Sequence, residues 1–94
     1  MGENTLHAVA RPHLSDTVQN SGWSIAVTAG DGRVLDVEVV HPREIGADGD
    51  EAAIRAKLEK RYDVTDLAFD RGSEETDDGL REPVIRISGL RRAS

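Results

Sequence analysis

Residues 23–41 read Trp-Ser-Ile-Ala-Val-Thr-Ala, then Gly-Asp-Gly, then Arg-Val-Leu-Asp-Val-Glu-Val-Val-His. Two alternating runs flank a glycine-bracketed turn, and that pattern specifies a β-hairpin. Trp23, Ile25 and Val27 share one face of the first run, and Leu35, Val37 and Val39 share one face of the second. Directly opposed residues lie on the same side of a sheet. The expected pairs are therefore Val27 with Leu35, Ile25 with Val37 and Trp23 with Val39. That leaves Gly30-Asp31-Gly32 as a three-residue loop, with Gly32 at the left-handed position. A two-residue Asp31-Gly32 turn would set Val27 against Asp36 and mix apolar with acidic side chains on one face, so the longer loop is preferred.

Ninety-four residues make a single domain with a thin core. Trp23, Tyr62 and Phe69 are its three aromatics, so the core is expected to be aliphatic with these rings as its largest pieces. The chain has no cysteine, which excludes disulfides, thiolate metal sites and thiol nucleophiles. It has no apolar run of membrane-spanning length and no secretory pattern at its start, so a soluble cytoplasmic protein is expected. Net charge is −6 and uneven. Residues 44–78 hold twelve acids against five bases, whereas 79–94 hold four arginines and one glutamate. A field dominated by the former repels phosphate backbones, which argues against direct nucleic-acid binding.

Along the chain, residues 1–21 read as an N-terminal arm. Thr5 to Ala10 suits a short strand, although Leu6, Val9 and Leu14 also fit a helix, and Pro12 forbids one helix through both halves. Ser15-Asp16 is a candidate cap for a short turn through Val18-Gln19, ended by Asn20-Ser21-Gly22. After the hairpin, Pro42 ends the second strand. Asp48 with Glu51 has capping-box spacing and predicts a helix over about 49–62, its inner stripe being Ile54, Leu58 and Tyr62. Glu51, Arg55 and Glu59 fall on its outer face at ion-pair spacing. A half-buried strand is expected around Leu67 and Phe69. Residues 71–79 read as a polar, mobile loop, and Pro83–Ser88 as the last strand. The domain proper would then span 22–90, followed by a basic tail at 91–94.

The expected class is α+β: a small two-layer domain, hairpin–helix–strand–strand, on one mixed or antiparallel sheet. A glycine-turned hairpin, a crossing helix and a last strand running into arginines resemble the β-grasp arrangement of ubiquitin-like domains over about residues 22–92. The resemblance is one of topology. The chain ends Ala93-Ser94, without the paired glycines of a conjugated modifier, so it implies no conjugation.

No catalytic, cofactor or metal constellation emerges. His7, His13 and His41 lack metal-ligand spacing even with Asp16 or Glu38 added, and read as surface or strand-end side chains. The aspartates at 63, 66, 70, 77 and 78 do not follow the alternation of a calcium loop. No Gly-x-Ser-x-Gly elbow occurs, and Gly30-Asp31-Gly32 is too short to cradle a phosphate. Arg91-Arg92-Ala93-Ser94 matches a basophilic kinase motif, but at a terminus it reads as plain tail. Elimination leaves a non-catalytic protein–protein interaction module, an adaptor or self-associating domain, acting through a sheet edge and segregated charge. Its expected partner is a protein or a second copy of itself, not a membrane. The expected partner-binding residues are Arg81, Arg86, Arg91 and Arg92 with Glu74, Glu75, Asp77 and Asp78. Two other readings are an acidic inhibitor mimicking nucleic-acid phosphates through residues 63–78, and a small-molecule binder at the hairpin's open end near Trp23 and His41.

Overall fold

A computed structural model describes the backbone of residues 5–15 and 18–93, and the side chains of 6–12 and 22–93. Its strands are β1 (Thr5–Ser15), β2 (Val18–Thr28), β3 (Val34–Val40), β4 (Tyr62–Asp63), β5 (Ala68–Glu75) and β6 (Arg81–Arg92). One 3-10 turn (Pro42–Glu44) and one helix, α1 (Asp50–Leu58), join β3 to β4. The strands form one sheet in the order β3-β2-β1-β6, with β4 and β5 both lying along the far side of β6. Every pairing is antiparallel. The chain is thus a small α+β domain, an antiparallel sheet with a helix on one face. The β-grasp topology is not confirmed, because β1 stands between the hairpin and the last strand.

The hairpin turn forms as its glycines dictate. The Gly32 N–H donates to the Ala29 carbonyl and the Ala29 N–H to the Arg33 carbonyl, both at 2.9 Å, while Gly32 takes φ +91°. Thr76-Asp77-Asp78-Gly79-Leu80 repeats this turn between β5 and β6, with Gly79 at φ +81°. The expected strand register nevertheless fails. Thr28 pairs with Val34, but Val27 pairs with Asp36, Ile25 with Glu38 and Trp23 with Val40. Leu35 is the extra residue of a bulge, which shifts everything after it by one position. Leu35 still packs against the core, Val40 becomes fully buried, and Val37 turns outward. The adjacent valines 39 and 40 let either parity close the hairpin, and the bulge selects Val40.

β1 is built into the middle of the sheet between β2 and β6, so residues 5–15 do not form a separate arm. Its alternation explains why: Leu6, Ala8 and Ala10 are buried on the helix side, in one cluster with Trp23, Ile25, Val27, Ile85, Ile87 and Leu90. Pro12 sits opposite Trp23 and beyond the last β1–β6 pair, Ala10 with Ile85, so its missing N–H faces the side where β1 has no paired strand and interrupts no ladder. The expected Ser15-Asp16 cap falls partly on Asp16, outside the described residues, and Val18–Asn20 are strand.

The helix is shorter than its periodicity suggests. It starts after Gly49 (φ +94°) without a side-chain cap from Asp48, and it ends at Leu58. Tyr62 lies not on the helix but in β4, opposite Arg92. Ile54 and Leu58 are both fully buried, and burying side chains of this size stabilises by about 1.5–3 kcal/mol each. The expected Glu51–Arg55–Glu59 ladder is replaced by tertiary contacts. Glu51 accepts from Arg71 of β5 at 2.9 Å, and Arg55 donates to the Val64 carbonyl at 2.9 Å. Just past the helix, Arg61 reaches Asp36 of β3 at 3.0 Å. α1 therefore crosses the sheet from β5 to β3.

Candidate functional site

Of the two sheet edges, β5 carries charge on both faces: Asp70 and Glu74 on one, Arg71 on the other. Charged edges resist strand addition. β3 differs. Val34 and Val37 are 56% and 55% exposed, two of the three large apolar side chains most open to solvent among the described residues.

The backbone of β3 can be oriented residue by residue. The Ala29–Arg33 hydrogen bond fixes the parity of the ladder, and the bulge carries it to Val27 with Asp36. Asp36, Glu38 and Val40 then turn their backbone groups to β2, whereas Val37 and Val39 turn theirs to the open side. An independent contact agrees: the Val37 N–H donates to the Asp36 side-chain Oδ1 at 2.9 Å.

The Asp36 carboxylate is held on its other oxygen. Oδ2 accepts from Arg61 at 3.0 Å and from the Tyr62 hydroxyl at 3.4 Å, and Arg61 lies 3.8 Å from Glu38. Burial and the neighbouring Asp36 charge push the Tyr62 hydroxyl above its ordinary range, so it remains a donor at neutral pH. Asp36 and Glu38 thus flank the edge on the helix side, Val37 and Val39 on the other.

The residues expected to bind a partner do not form one patch. Arg81, Glu75, Asp77 and Asp78 lie at one end of the β5–β6 hairpin, and Arg81 donates to the Ser73 hydroxyl at 3.1 Å. Arg91 and Arg92 are at the other end of β6, about 33 Å away at the usual strand rise. Both are strand residues of β6, paired with Asp63 and Tyr62, rather than part of a tail. Arg91 is bridged to Asp66 at 3.0 Å. Arg86 lies between Val9 and Asp70, its guanidinium beside Gly72. Glu74 pairs with Arg11 of β1, which lowers its carboxyl below the usual range. Residues 71–75 belong to β5, so the expected loop shrinks to a tight turn. Acidic and basic segments that are separate in sequence are neighbours in the sheet, and their charges meet there.

Trp23 is buried and Val40 beside it fully so, which fills the hairpin's open end. His7 is exposed beside Thr28, while His41 follows Val40 at the opposite end of the hairpin, and the His13 side chain is outside the described ones. No group of three His, Asp or Glu side chains among the described residues is arranged to hold a metal ion. No described helix is long and apolar enough to cross a membrane. Ser94 is outside the described residues.

Asp36, Val37 and Arg61 were missed by the sequence reading. The available signal was Asp36 and Glu38 alternating with valines before a Val39-Val40 pair, which allows two registers. Compared with known proteins, the chain matches no family model, no curated protein and no solved structure.

Proposed function

We propose that this chain is a non-catalytic interaction module that takes up an extended segment of another protein along β3. The observation that carries the reading is the open side of that strand. Val37 and Val39 turn their backbone groups to that side, where no described strand pairs with them, next to apolar side chains that a partner strand can cover. A second copy fits this edge poorly. A two-fold antiparallel pairing centred on Val37 would set Asp36 against Glu38 of the other copy twice, and like charges directly opposite destabilise. The arginines of β6 are secondary in this reading, since several already have acidic neighbours. With no cysteine in the chain, we assign the module to the cytoplasm.

The test is capture from an extract of the source cells with Val37→Pro and Leu80→Ser variants, each first shown to keep the wild-type fold by NMR. Proline removes an edge N–H that β2 does not use. Partners should be lost with Val37→Pro and retained with Leu80→Ser. A partner set unchanged by Val37→Pro would move the interaction off this edge.

A further inference from the structure

Building on that edge reading, we infer that the segment taken up by β3 alternates apolar and basic residues, and that a cation of the segment draws Asp36 away from the Val37 N–H. Beside an antiparallel newcomer, the residue opposite Val37 falls on the face away from the helix, as does the one opposite Val39. The residues opposite Asp36 and Glu38 fall on the helix side.

That side holds two carboxylates and one guanidinium, because Arg61 serves Asp36 at 3.0 Å and Glu38 at 3.8 Å. One negative charge is left over, at the position an incoming side chain must occupy. A lysine or arginine there completes the neutralisation, and an acid there meets both carboxylates.

The Asp36 contact adds a second requirement. Its Oδ1 occupies the Val37 N–H, the donor that a partner carbonyl needs. In the free chain the carboxylate therefore guards the edge, as inward-turned charges commonly do. A cation opposite Asp36 gives Oδ1 a charge-assisted partner in place of the backbone N–H and so releases that donor. The same side chain thereby excludes acidic or uncharged strands and admits basic ones.

The experiment uses the full chain, labelled with nitrogen-15, and two capped peptides of equal length at millimolar concentration. One alternates valine with lysine, the other valine with glutamate. The valine–lysine peptide should slow amide exchange at Val37 and Val39, and the valine–glutamate peptide should bind about tenfold more weakly or less. In the double variant Asp36→Asn with Glu38→Gln, the two peptides should bind alike. Equal binding of both peptides to the wild-type edge would overturn the charge assignment while leaving the edge reading in place. Protection of neither valine by either peptide, in wild type and double variant alike, would overturn the edge reading as well.

Discussion

At the scale of single residues, two glycines hold the sheet in its shape. A Cβ on Gly22 would lie 1.6 Å from the Val40 carbonyl oxygen, and one on Gly89 would lie 2.1 Å from that of Asp66. Gly89 also sits at φ +78°, next to the register shift between β1 and β6. Both contacts are with backbone, which cannot swing aside. Gly89→Ala is therefore expected to cost about 2–4 kcal/mol, measured as a lower urea midpoint. Gly46, which has nothing within 4 Å of its Cβ position, should accept alanine with little change. The left-handed role of Gly32 was legible, because a turn between two alternating runs demands it. The role of Gly89 was not, since the carbonyl it makes room for is that of Asp66, which no local pattern couples to it.

At the scale of elements, three carboxylates tie neighbouring pieces together. Glu44 joins the 3-10 turn to α1 through Lys57 at 2.8 Å, Asp63 holds the turn after β4 through the Thr65 hydroxyl and N–H, and Glu74 joins β5 to β1 through Arg11. Each of these partners lowers the carboxyl's pKa in the folded chain. A lowered folded-state pKa means that the unfolded chain binds the proton more readily. The stabilisation is complete above the unfolded carboxylate range of about 4–4.5 and is lost as pH falls through the lowered values. Thermal scans should show a melting temperature that is flat near neutrality and declines below that range. Glu74→Gln should make the decline shallower, and a slope identical to wild type would remove the Arg11 link. The register of β3 illustrates why elements are harder to read than turns. Val34 to Val40 alternates well in either parity, and what chooses is the bulge at Leu35, which fits Val40 into the core and sends Asp36 and Glu38 to Arg61. The true end of α1 was hidden for a related reason: Tyr62 continues the helical stripe, yet pairing with β6 claims it.

At the scale of the whole molecule, β1 joins the hairpin to the last strand, and Leu6, Ala8 and Ala10 form the middle of the buried layer. A chain starting at residue 16 would expose both broken edges and should lose its cooperative melting transition. The class of the fold was readable from alternation and from one amphipathic helix. The place of β1 was not, because the alternation of Thr5 to Ala10 carries no sign of which neighbours the strand will have. Charge that looks segregated along the sequence is interleaved in space, so the free chain has no strong field with which to pair with itself. Light scattering coupled to size exclusion should therefore report a monomer at micromolar concentration, and a stable dimer would point to a partner surface other than the one proposed.

β3 is an open edge of the sheet, and its valines 37 and 39 turn their backbone groups to the open side. Residue-resolved amide hydrogen exchange on the free chain reads this directly. Glu38 and Val40 N–H groups, turned to β2, should exchange slowly, whereas those of Val37 and Val39 should exchange markedly faster. Equal protection of all four amides would show that this edge is already covered, and would contradict the account.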